Sequence, residues 1–251
     1  MFEKSSNPAL KNAFSQVRSF SREEGAMTLN GTMNKTIILF LVVIASAAVT
    51  WKLILSSPGM AMGLIITGAI GGLIMSLVTI FKKEYSKITS LIYAVFQGLF
   101  LGGISLFAST AFAEKAPGIV TNAILLTLGV FLVMLFIYRQ GIIKPTQKFM
   151  TGLFAATGAI ALVYLLSMVL GMFGVQIPLI HGSGTIGIIF SVVVVVIAAL
   201  NLIMDFKMIE DGVAAQAPKY MEWYGAFGLM VTLIWLYLEI LRLLMKLASR
   251  D

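Results

Sequence analysis

GSGTIGIIFSVVVVVIAALNLIM, residues 182–204, holds no charged side chain in 23 positions. About 20 apolar residues cross roughly 30 Å of hydrocarbon as a helix, so this stretch reads as a transmembrane span. Barrel strands would instead show segments of about ten residues with alternating polarity. The run of Val192–Val196 has no such alternation. The first charge after the stretch is Asp205, in NLIMDF.

Working outward, the rest of the chain repeats the pattern. Of its 251 residues 59% are hydrophobic and only 12% charged, where a soluble domain carries about 25% charged residues. A soluble fold could not hide that much apolar surface. Six further spans are expected. The first runs from Thr36 to Trp51, reaching Ile54 if Lys52 snorkels. The second lies within Leu53–Phe81, after the breaker Ser56-Ser57-Pro58-Gly59. The third is Ile88–Ala113 and the fourth Ala116–Tyr138. The fifth lies within Phe149–Ile180, ending near Phe173-Gly174. The seventh starts near Trp223 and passes through Glu239 towards Lys246. Residues 1–34 are polar and lack the apolar run of a secretory leader. They are expected to form a cytoplasmic arm, with an amphipathic helix around Asn7–Phe20, before a seven-helix domain over 35–248.

Lysine and arginine set the orientation. With seven spans, Lys4, Lys11, Arg18, Arg22, Lys35, Lys82, Lys83, Lys87, Arg139, Lys144, Lys148, Lys207 and Lys219 fall on the N-terminal side. Lys52, Lys115, Arg242, Lys246 and Arg250 fall on the other. That asymmetry places the N-terminus inside and the C-terminus outside. It also accounts for the net charge of +7 without nucleic acid as a partner. There is no cysteine and one histidine, His181, so thiol chemistry and multi-histidine metal sites are excluded. His181, in an outer loop, is a candidate pH sensor or a solvated loop residue. No nucleotide loop, HExxH or GxSxG is present; neither an enzyme nor a cofactor is expected. No inverted repeat is evident, which counts against a secondary transporter.

Two acids stand out because the other nine lie in tails or loops. Asp205 is read as ending the sixth span, and Glu239 lies inside the seventh, in WLYLEILRLL. An ionisable group within the bilayer costs a few kcal/mol, faces the bundle interior and has a partner. One reading pairs the two as a proton-sensitive latch, since close carboxylates cannot both ionise freely. The same pair could hold calcium weakly. Calcium takes six to eight oxygen ligands, so Asn201, four residues before Asp205, backbone carbonyls and water would complete the set. The other reading neutralises each acid locally: Asp205 in the headgroup region beside Lys207, Glu239 by Arg242 or Lys246. A simple hairpin would set Asp205 opposite about residue 223, so the pair meets only if part of 210–222 folds along the interface. Gln97, with Tyr93 and Ser105, either lines a path through the third span or bonds neighbouring helices. Gly68-x-x-x-Gly72 and Gly98-x-x-x-Gly102 match the close-packing motif of membrane helices.

Further motifs carry a likeness. They are Asn7-Pro8-Ala9-Leu10, MTLNGTMNKT (27–36), YAVFQGLFLGGIS (93–105), MDFKMIEDGV (204–213) and APKYMEWYGAFGLMVTLIWLYLEILRLL (217–244). In these the chain resembles the Bax inhibitor-1/YccA family, in a bacterial branch with a polar N-terminal arm. The resemblance implies seven helices with the last one central and wrapped by the other six, in the bacterial plasma membrane. It implies a pH-sensitive calcium leak gated by an acidic pair, with Asp205 in the sixth-helix aspartate position and Glu239 in the seventh-helix acid position. Other members are linked to regulating a membrane protease, which leaves a non-conducting regulator as the alternative and a proton-coupled transporter as a weaker one. Two departures bear on the latch. The segment between the acids is longer than in calcium-leak members. The arginine those members carry in the second helix has no counterpart; only Lys82 and Lys83 lie at that helix's end.

Overall fold

The computed structural model describes residues 25–174 and 182–250. His181 and the helix expected around Asn7–Phe20 lie outside them. Among the described residues the chain forms seven long helices: α1 (Leu29–Ser56), α2 (Ala61–Phe81), α3 (Ser86–Ala111), α4 (Ile119–Arg139), α5 (Gln147–Met172), α6 (Thr185–Ala214) and α7 (Met221–Ala248). Each is long and apolar enough to cross a membrane. Helices are the expected solution, because lipid offers no hydrogen bonds to the backbone and a helix satisfies its own.

Two boundaries differ from the sequence reading. α1 starts at Leu29, inside the stretch read as the arm, because Thr28 caps it: its hydroxyl accepts from the Gly31 amide at 3.0 Å. α6 does not end at Asp205 but runs on to Ala214. Phe206 and Ile209 are buried there, the Tyr138 hydroxyl donates to Glu210, and Lys207 pairs with Asp211 one turn on. Asp205 is therefore an interior helical residue with more than two turns beyond it.

α7 is the core. Its fully buried side chains include Leu229, Met230, Leu233, Leu236 and Leu241. α1, α3, α4 and α6 pack directly on it, α2 leans on α3, and α5 leans on α6. The outer surface is apolar, with Leu41, Phe154 and Met172 all exposed, as a lipid-facing surface must be.

The glycine motifs bring helices together on two different faces. A Cβ on Gly68 would lie 2.5 Å from the Phe100 amide nitrogen and 2.7 Å from the Phe96 carbonyl, so α2 meets α3 backbone to backbone. Gly98 and Gly102 do the same for α3 against α1, where added Cβ atoms would lie 2.7 Å from the carbonyls of Val43 and Ala47.

One end of the bundle holds the start of α1 and α7 and the ends of α4 and α6, joined by Lys35–Glu222, Tyr138–Glu210 and Ser86–Tyr220 contacts, together with Lys82, Lys83, Lys87, Arg139, Lys144, Lys148, Lys207 and Lys219. We call it the basic end, and the opposite one the far end.

Candidate functional site: a polar seam along the last helix

The seam lies where α5, α6 and α7 meet. On α5 the buried residues Leu153, Ile160 and Ser167 recur every seven positions, a narrow stripe facing the bundle. Thr157 and Tyr164, also seven apart, lie beside it and carry polar groups inward.

Nearest the basic end is Asp205. Its carboxyl faces α7: Thr232 lies beside it, and a Cβ on Gly228 would lie 3.8 Å from Oδ1. Oδ2 is sealed from solvent and has no hydrogen-bond partner among the described residues. A buried charge without a partner is among the costliest arrangements in a protein, and within a membrane it marks function first. A carboxylate held this way is relieved by a proton or by a cation.

One turn further along α6, the Asn201 amide donates to Thr157 Oγ1 at 2.9 Å and to the Ile197 carbonyl at 2.8 Å. It bridges α6 to α5 on the face it shares with Asp205. Beyond it lies Glu239, 1% exposed. Arg242 Nη1 donates to both its oxygens at 2.8 Å and to Tyr164 Oη at 2.7 Å. The Tyr164 hydroxyl in turn donates to Glu239 Oε2 at 2.9 Å, and the guanidinium lies 4.9 Å from the Tyr164 ring centre. At the far end Lys246, also buried, donates to the Gly187 carbonyl at 2.9 Å and to Ser191 Oγ at 2.8 Å.

The expected acidic pair is not brought together. Asp205 sits beside Gly228 and Thr232, and Glu239 is seven residues further along α7, about 10 Å of helix rise. The extra turns of α6 move Asp205 away from residue 223, yet they fall short of Glu239. Glu239 has its own counter-ion, Arg242, at i+3, so the local-neutralisation reading holds for it. For Asp205 that reading fails, since Lys207 pairs with Asp211 instead. The two carboxylates thus share neither a proton nor a calcium ion in this arrangement. Among the described residues no three acidic or histidine side chains gather as a metal site. Gln97 is outside the seam: it lies against Gly72 of α2. Ser105 and Tyr237 do meet, oxygen to oxygen at 2.6 Å, tying α3 to α7.

The family described as Bax inhibitor 1 like matches residues 7–249. The chain belongs to that family. It is a multi-pass membrane protein of the Bax inhibitor 1 like type, with α7 as its buried centre. Neither a curated protein nor a solved structure matches it.

One buried charged residue of this Bax inhibitor 1 like chain escapes sequence reasoning. Glu222, counted among the loop acids, is completely buried at the start of α7. It accepts from the Thr28 amide and hydroxyl, each at 2.9 Å, and from Lys219 at 3.0 Å, and it is paired with Lys35. The neighbouring backbone bond from Met27 N to Ala217 O, 2.8 Å, joins the same two segments. An acid in the first turn of a helix is a visible signal, but it points only to the helix dipole. Partners 187 and 194 residues away leave no local trace.

Proposed function

We propose that this protein is a proton-responsive cation leak of a bacterial plasma membrane, with its basic end in the cytoplasm and its C-terminus outside. Asp205 alone is the protonation site, and no enzymatic step is involved. The observation that carries this reading is the sealed Oδ2 of Asp205, without a partner among the described residues, on a polar seam. Its occupancy by a proton decides whether a charge is present between α6 and α7. Thr232 beside it, and Asn201 with Thr157 one turn further along the seam, offer further oxygen atoms, a donor type suited to a hard cation such as calcium. Glu239, Arg242 and Tyr164 act as a fixed clasp that closes the outer part of the seam, rather than as half of a titrating pair. The basic end is assigned to the cytoplasm by its excess of lysine and arginine.

The test is calcium flux into dye-loaded liposomes containing the purified protein, across a series of pH values. The wild type should leak with a pH-dependent rate. Asp205→Asn should retain its fold and lose that dependence. Unchanged pH dependence in Asp205→Asn would falsify the assignment. A wild type that passes no calcium, sodium or potassium at any pH would replace the leak with a non-conducting regulator, whose membrane-protease partner would then be sought by co-purification.

A further inference from the structure

At the basic end, apart from the seam, a cavity of about 520 Å³ opens between the start of α1, the end of α4 with its following loop, and the last turns of α6. Its composition is divided. One wall is apolar, made by Leu29 and Met33 of α1, which are 49% and 40% exposed, and by Leu135 of α4. The rim carries Arg139, the last residue of α4, and Lys144 in the loop beyond it. The other charged groups lining the cavity are already engaged. Lys207 pairs with Asp211, and Glu210 accepts from Tyr138. The side chains of Arg139 and Lys144 have no ion-pair or hydrogen-bond partner among the described residues.

Positive charge at this end is expected for topology alone. That rule does not ask for two free cations on the rim of a cavity with an exposed apolar wall. Basic pockets between transmembrane helices are the usual way a membrane protein holds a lipid phosphate, and guanidinium suits phosphate oxygens in particular. Glu210 sets the charge of the guest: against two free cations, one carboxylate leaves the cavity one positive charge in excess. The geometry points to a binding site for a single phospholipid with a monoanionic headgroup. Its phosphate is held by Arg139 and Lys144, and its tails lie along Leu29, Met33 and Leu135. The bound lipid would brace the ends of α1, α4 and α6 without depending on the leak.

The experiment is native mass spectrometry of the purified full chain in detergent, titrated with phosphatidylglycerol, phosphatidylcholine or inorganic phosphate. The wild type should retain one phosphatidylglycerol and bind phosphatidylcholine at least tenfold more weakly. Arg139→Gln with Lys144→Gln should weaken phosphatidylglycerol at least tenfold. Lys82→Gln with Lys87→Gln removes the same charge from the same end and should leave binding as in the wild type. Met33→Trp keeps both cations, narrows the apolar wall and should also weaken the lipid. Equal losses in the two double variants would overturn the site in favour of bulk surface charge. So would unchanged binding in Met33→Trp, or displacement of the lipid by equimolar inorganic phosphate.

Discussion

Glu222→Ala is the perturbation that asks most of this structure. The carboxylate has no solvent exposure and joins the first helix to the last. Removing one partner of a buried ion pair costs about 3–5 kcal/mol, because the other charge stays behind uncompensated. Here that charge is Lys35, whose side chain is 17% exposed and whose remaining neighbour is the Trp223 ring, 5.6 Å away. Lys219 is 38% exposed, so its pair with Glu222 is screened and contributes no more than about 1 kcal/mol. Glu222→Ala should therefore lose about 3–5 kcal/mol, and Lys219→Gln less than about 1 kcal/mol. Gly31 supplies an internal check, since an ideal Cβ there would overlap the Glu222 carboxyl group. Gly31→Ala should cost about 1–3 kcal/mol by overpacking in the wild type. In the Glu222→Ala background the obstruction is gone, and a helical alanine gains about 0.5–1 kcal/mol over glycine. The double-mutant cycle should therefore show a compensating coupling of about 1.5–4 kcal/mol. The assay is denaturant unfolding of the purified protein in detergent, followed by near-UV circular dichroism. Additivity within about 0.5 kcal/mol, or a Glu222→Ala protein as stable as the wild type, would refute the reasoning.

Two further outcomes follow from the packing and the clasp. Gly98→Ala and Gly102→Ala should each destabilise by about 1–3 kcal/mol in the same unfolding assay, because their neighbours are backbone carbonyls of α1 that cannot step aside. Gly158→Ala, with nothing within 4 Å, should be neutral or stabilising by up to about 1 kcal/mol; equal losses at all three positions would contradict the close approach of α1 and α3. Arg242→Met should cost about 3–5 kcal/mol by stranding Glu239, and Glu239→Gln in that background should restore much of it. A loss from Arg242→Met that Glu239→Gln leaves unchanged would show that the two do not form a unit.

The seven spans, their helical nature and the polar character of the last hairpin were all legible in the sequence. Hydropathy is a local sum over about twenty residues, and lipid punishes any backbone that is not helical. The glycine motifs were legible as sites of close approach for the same local reason. Which helices they join was not: Gly68 meets α3, while Gly98 meets α1. Asp205 and Glu239 were found because a charge within an apolar run is visible by eye. Their pairing was a different kind of statement. It depends on how far α6 continues and how each helix is rotated about its axis, and those follow from the packing of Phe206 and Ile209 and from the Tyr138–Glu210 bond. Tertiary structure alone sets Asp205 beside Thr232, gives Glu239 to Arg242 and Tyr164, and buries Glu222 against a helix nearly two hundred residues away. The physical reason is that hydrophobic burial adds up along the chain, whereas an ion pair needs two groups at one height on facing sides of two helices.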